Sequence, residues 1–174
     1  MTDPVKKPEV WLRGPVDGVP ALLQPVAHAL LQAEEEVTAL VRDFPDDRLW
    51  IKPHGLASAG FHLQHLAGVL DRLTTYARGK PLSPTQLSRL KAEGSAEDSS
   101  ASAASLAFAF SACVADTIDL LRATPEGALL EPRSVGRSGL PSTVLGLLVH
   151  CAEHTMRHVG QLLVTTRVVR ESSG

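Results

Sequence analysis

The stretch His150-Cys151-Ala152-Glu153-His154-Thr155-Met156-Arg157-His158-Val159-Gly160-Gln161 decides how this chain is read. It holds three of the seven histidines, at positions 150, 154 and 158. A step of four residues turns an α-helix by only about 40°, so His154 and His158 stack one turn apart on one face. Taking His154 as reference, Leu147, Thr165, Cys151, Val144 and Leu162 fall within about 80° on one side, and Gln161 about 20° to the other. That side is apolar, so both imidazoles point inward and Gln161 joins them. A buried polar group needs a partner. Two imidazoles at this spacing can aim their nitrogens at one metal ion, as the paired histidines of HExxH helices do. A lone core histidine is ordinarily a hydrogen-bonded structural residue; an inward pair with further histidines on another helix points to a metal. His150, about 40° away, is expected at the edge of such a site, as a neighbour, a group that orients the ligands, or a fourth ligand.

The other helix is the second one, expected over 58–78 and closed by Gly79. Its polar side carries Gln64, Asp71, Thr75 and Arg78, and the opposite arc carries His62, Leu66, Val69 and Leu73. His62 sits near the centre of that arc; His65 lies about 60° off it, beside Val69 and Tyr76. Helical geometry leaves both open as a third ligand and leans to His62. His28 and His54 read as solvated.

Working outward, apolar spacing predicts a first helix over 20–43, with Leu22, Val26, Leu30, Ala33, Val37, Leu40 and then Phe44 on one face. An arm over 1–18 should pack through Trp11 and Leu12. Ser83-Pro84 starts a short helix to about Glu93. A small polar connection covers 94–100, a third helix runs over 101–122 with Leu106, Phe110, Val114, Thr117 and Leu121 as its stripe, and the longest loop covers 124–141. The fourth helix runs over 142–170. No internal repeat and no strand pair is expected. The chain therefore reads as one all-α domain over 1–174, a four-helix bundle with a short extra helix between helices two and three. The far side of the fourth helix, Leu145, Val149, Ala152, Met156, Val159 and Leu163, is also apolar, which reads as a contact with the short extra helix or the arm or, the favoured reading, as a homodimer face.

The chain has 174 residues, 44% hydrophobic and 21% charged, a composition that builds a core without disulfides. Aromatics are only 4%, so the core must come from Leu, Val and Ala. Net charge is −2 with no long basic run, which argues against a nucleic-acid partner. No apolar run approaches about 18 residues and no signal peptide opens the chain, so no membrane span is expected and the location reads as cytoplasmic. Cys113 and Cys151 lie inside apolar helical patterns without a CxxC pair, and read as buried reduced thiols.

The 150–161 stretch, joined to Ala59-Gly60-Phe61-His62-Leu63-Gln64-His65-Leu66-Ala67, resembles the DinB/YfiT-like superfamily over nearly the whole chain. The resemblance implies a bundle of up-up-down-down type and three histidine ligands on one divalent metal. Its small-Gly-aromatic pattern followed by His-apolar-Ala falls on Gly60, Phe61 and His65, which makes the implied ligands His65, His154 and His158. His62 becomes an extra group, orienting ligands or lining the cavity. Members with assigned activities are mostly thiol-dependent transferases using mycothiol, bacillithiol or glutathione, some isomerise maleylpyruvate, and many are dimers.

Three protein ligands leave a coordination position open, the pattern of a catalytic site. The implied activity is a metal-dependent thiol S-transferase acting on a small-molecule thiol and an electrophile; imidazole donors suit zinc, nickel or iron alike. Metal-dependent hydrolysis and a non-enzymatic metal-binding or stress-response bundle are the alternatives. Gln161, Tyr76 and Glu153 are candidates to orient ligands or substrate, though Glu153 lies about 100° from His154 and reads better as a surface residue. Arg133 and Arg137, in the long loop, are candidates to close over the site and bind an anionic group, or else simply surface charge.

Overall fold

The computed structural model describes residues 7–96 and 101–171. Residues 1–6 of the expected arm and 97–100 of the polar connection lie outside them. Five helices carry the fold: α1 (Gln24–Val41), α2 (Ala59–Ala77), α3 (Pro84–Ala92), α4 (Ala103–Ala123) and α5 (Val144–Glu171). The four long ones pack α2 and α1 each against both α4 and α5, so α1 and α2 sit on opposite corners. The core between them is aliphatic, built on Leu30, Val37, Leu63, Leu66, Leu70, Val114, Leu148 and Leu162, with Phe110 as its largest fully buried side chain.

Local signals set the helix starts. Pro25 occupies the first turn of α1, behind a short 3-10 turn over Ala21–Leu23. Ser58 Oγ accepts from the Phe61 amide to open α2, and Ser83 with Gln86 forms a full capping box on α3. Leu23, not the expected Leu22, is buried, because the 3-10 turn shifts the phase of that first step; Leu22 is exposed.

Hydrogen bonds at the helix ends give the directions. Arg170 Nη2 reaches Leu40 O, so α1 and α5 finish together. The Ala103 amide donates to Asp46 just beyond α1, while Arg122 reaches Asp17 before it, so α4 runs against α1. His62 faces His158 while His65 faces His154, so α2 runs against α5. The sequence of directions is up, down, down, up, which corrects the implied up-up-down-down order. The physical reason is α3. It lies along α2 in reverse, with Gln86 on Asp71 and Thr75, Glu93 on Arg72 and His65, and the Gly94 amide on Gln64. That return of about 13 Å lets α4 start at the same end as α2.

Two further expectations are corrected. The 124–141 loop contains an antiparallel hairpin, β1 (Pro132–Val135) with β2 (Leu140–Thr143), in which Pro132 faces Thr143 and Val135 faces Leu140. Four-residue strands with a proline in each and glycines at positive φ between them carry too little alternation to read from sequence. The arm packs through Val10, with Val16 partly buried against the core; Trp11 and Leu12 are 60% and 58% exposed. Val10 wins because its amide is tied to Gln32 Oε1, which seats that residue on α1. α4, by length and composition alone, is apolar enough to cross a membrane, but its stripe of Phe110, Val114 and Leu121 is buried among α1 and α2. The expected outer strip of α5 divides: Ala152 and Val159 are buried, Val149 and Leu163 exposed.

The arm is clamped by Glu35, which takes both Arg13 guanidinium nitrogens, at 2.5 and 2.8 Å, and Lys7 at 3.1 Å. Those cations, Arg13 first, pull its carboxyl down to about 2. The cluster is solvent-accessible, so Glu35→Gln should lower stability by less than about 1 kcal/mol while freeing the arm. Limited proteolysis ahead of Gly14 should accelerate; an unchanged cleavage rate would show that the clamp does not hold the arm.

Candidate metal centre

α2 and α5 bring His62, His65, His154 and His158 into one cluster. The geometry starts at the N-terminus of α2, where the Gly60 amide bonds to Leu49 O and the Trp50 ring lies against Gly60. A Cβ at Gly60 would come within 2.5 Å of that ring, so only glycine lets α2 approach so closely. Phe61 then stacks on His65, ring centroids 5.3 Å apart and 13° from parallel.

His65 Nε2 meets His154 Nε2 at 2.9 Å, and the His154 and His158 rings are 4.7 Å apart, centroid to centroid. One nitrogen from each of His65, His154 and His158 lies within 4.8 Å of the others. His62 stands outside this trio, with its Nδ1 3.2 Å from His158 Nδ1. Its ring is the most buried of the four, which explains why helical geometry favoured it: centrality on a buried arc measures depth, and the trio forms at the margin where α2 meets α5.

The far side of His65 was not legible in the sequence. Its Nδ1 lies 2.7 Å from Glu93 Oε2, and the other Glu93 oxygen pairs with Arg72 Nη1. All three side chains are largely buried. Gly68 makes the room, since a Cβ there would collide with both Glu93 and Arg72. A carboxylate accepting from Nδ1–H fixes the tautomer that leaves Nε2 unprotonated toward the cluster, the arrangement that supports histidine ligands in metal sites. Burial pushes the Glu93 carboxyl up, and the hydrogen bonds from His65 and Arg72 outweigh it, so it stays ionised below its ordinary range. The only sequence signal was positional: a capped helix of fixed length after Gly79 that returns its last residue to α2.

Burial, followed by the neighbouring imidazoles, holds His62, His154 and His158 neutral, His158 with a value of about 4. Neutral imidazole is the form that binds metal. His154 Nδ1 is buried without a hydrogen-bond partner among the described residues, so that ring's orientation is not accounted for by protein contacts alone. The donor set, its protonation and its outer support fit a divalent ion. Replacing Glu93 by alanine should weaken Zn(II) binding about 10- to 100-fold in a chelator competition; wild-type affinity in that variant would remove Glu93 from the site.

The neutral state also sets a pH dependence. The unfolded chain takes up a proton at His158 near 6.5, the native state only near 4. Stability of the metal-free protein is therefore full above pH 6.5 and declines as pH falls toward 4. Because solvent reaches the ring, the loss from this group is on the order of 1 kcal/mol. Thermal melts in EDTA at pH 7.5 and 4.5 test it; a higher melting temperature at 4.5 would contradict it.

Of the other expected residues, Gln161 lines a cavity of about 510 Å³ beside His62 and His158, with Leu56, Phe61, Arg157 and Val164. His150 is at the edge, half-exposed, its ring centroid 5.1 Å from that of His154 and its Nδ1 2.5 Å from Glu153. Glu153 also binds Arg157 on the surface. Tyr76, Arg133 and Arg137 are not brought to the cluster. They line a separate cavity at the other end of α2, eleven residues or roughly 16 Å from His65. Cys151 is buried as expected and Cys113 only partly so; burial first of all pushes their thiols up to about 12 and about 11 respectively.

No curated protein matches this sequence. The family model described as the DinB superfamily matches residues 29–162, a span that begins in α1, includes all four clustered histidines and Glu93, and ends in α5. With the helical bundle and the histidine trio in place, that match over most of the sequence shows that the chain belongs to the DinB superfamily.

Proposed function

We propose that this chain is a divalent-metal-dependent transferase that joins a small-molecule thiol to an electrophile, with His65, His154 and His158 as ligands of zinc, nickel or iron. The observation that carries the reading is the trio of converging imidazoles beside a cavity of about 510 Å³. A divalent ion in such a donor set lowers the pKa of a thiol it binds, which makes a nucleophile available near neutral pH. The protein's own residues do the rest. Glu93, anchored by Arg72, fixes His65, and His62 bears on His158 in the same way from the opposite side. Leu56, Phe61 and Val164 offer apolar walls for the electrophile, with Gln161 and Arg157 as polar contacts. The nucleophile must come from outside, because the Cys113 and Cys151 thiols are held protonated and neither lines the cavity.

The test is conjugation of mycothiol, bacillithiol and glutathione to a chromogenic aryl halide by protein loaded with each metal, with His158→Ala as the control. Metal-dependent conjugation lost in that variant supports the reading. Hydrolysis of an ester or amide panel without thiol conjugation would replace it with a hydrolase, and turnover of neither with a binding bundle. We also propose a homodimer through the exposed part of the α5 strip, Val149 and Leu163; light scattering should give about twice 18.5 kDa, and a monomer mass would refute it.

A further inference from the structure

The second cavity, about 480 Å³, lies where α2 ends and the β-hairpin folds over it. Its lining includes three cations, Lys80, Arg133 and Arg137, the hydroxyl-bearing residues Tyr76 and Ser134, and apolar walls that include Leu82 and Leu87; no Asp or Glu among the described residues lines it. A volume in this range with mostly apolar walls and a few convergent polar groups is the usual form of a small-molecule site.

The cations are placed by backbone features. Gly79, at φ +71°, turns the chain back on itself, its amide bonding to Tyr76 O and the Lys80 amide to Thr75 O. This sets Lys80 at the cavity edge. Arg133 is rigid: Nε donates to Ala77 O, Nη1 to Pro132 O, and Nη2 to Glu131. Three of its five N–H groups are thereby used and two remain. Among the described residues Lys80 and Arg137 have no ion-pair partner, and the Tyr76 hydroxyl has no hydrogen bond. Glu131 offsets one charge from outside, leaving about two uncompensated positive charges in a concave, partly apolar surface of a chain whose net charge is −2. The carbonyl end of α2 opposes an anion, but Arg133 and the Gly79 turn already occupy its last carbonyls.

We infer that this cavity binds a small amphipathic organic anion, a carboxylate, sulfonate or phosphate monoester on an apolar body, with Lys80 and Arg137 taking the charge, Tyr76 donating to it, and Leu82 and Leu87 packing on the body. The site is separate from the histidine cluster and does not depend on metal.

The test uses the full chain with 8-anilinonaphthalene-1-sulfonate as the anionic probe and N-phenyl-1-naphthylamine as its uncharged counterpart. Lys80→Ala with Arg137→Ala, both at exposed positions, should weaken the sulfonate at least 10-fold and leave the neutral probe unchanged; added salt should weaken only the sulfonate. Amide shifts on sulfonate titration should centre on residues 76–82 and 132–137. His65→Ala should bind the sulfonate like wild type, so a failed metal site leaves this result standing. Equal sulfonate affinity in the double variant, equal sensitivity of the neutral probe, or shifts centred on the histidine cluster would each overturn the proposal.

Discussion

His65→Ala loses the divalent ion: in a competition with a chromogenic chelator its Zn(II) affinity is expected to fall by at least about 100-fold, while His62→Ala falls by about 10- to 100-fold at most. The contrast separates a group whose nitrogen lies among the other two from one that stands behind them. His65 Nε2 is 2.9 Å from His154 Nε2, whereas the His62 ring nitrogen meets that of His158 alone within the cluster, and His62 is not part of the trio. Metal-free melting temperatures of both variants establish that each is folded. Elemental analysis of the purified proteins gives a second readout that needs no assay of turnover. If His65→Ala retained the ion and His62→Ala lost it, the ligand set would have to be redrawn around the buried ring.

Phe110→Ala is expected to cost about 3–5 kcal/mol, the largest stability loss of any single truncation in the core. Phe110 is the biggest fully buried side chain, and it sits on α4 between α1 and α2. With aromatics only 4% of the sequence, the neighbouring Leu and Val side chains are too short to close the cavity left behind. For a chain of this length the melting temperature should drop by roughly 10–15 °C. α4 contributes no residue to the histidine cluster, so Zn(II) affinity at low temperature should survive in the folded fraction. A drop of less than about 3 °C would mean that the ring is not at the centre of the core.

The sequence carried the helices because apolar spacing at 3.6 residues is a property of each segment alone. His154 and His158 were legible for the same reason: one helix holds both, and four residues of spacing settle their face. His65 was not, since His154 lies 89 residues away on another helix, with His158 further still, and the nearer rule, depth on the arc, pointed to His62. Only the family pattern selected it. Glu93 was invisible because its role depends on where α3 returns, and that is set by packing. Tyr76 faces the same way as His65 on a helical wheel, yet three turns along the axis separate them, and a wheel discards the axis. Of the two readings open for Arg133 and Arg137, closure over the histidine site fails for a related reason: a loop without its hairpin has no direction.

α3 has no buried residue at all; it is held to α2 through Gln86, Gln64 and the Glu93 group. An element that buries no residue of its own and is attached by a few polar contacts is among the first to open, well below the free energy of global unfolding. Each opening carries Glu93 away from His65 and leaves Arg72 without its partner. Observed metal affinity is then the intrinsic affinity multiplied by the fraction of molecules in which α3 is closed. Protection of α3 amides from hydrogen exchange and ion affinity should consequently rise and fall together across variants of Gln86 or Gln64, neither of which belongs to the histidine cluster.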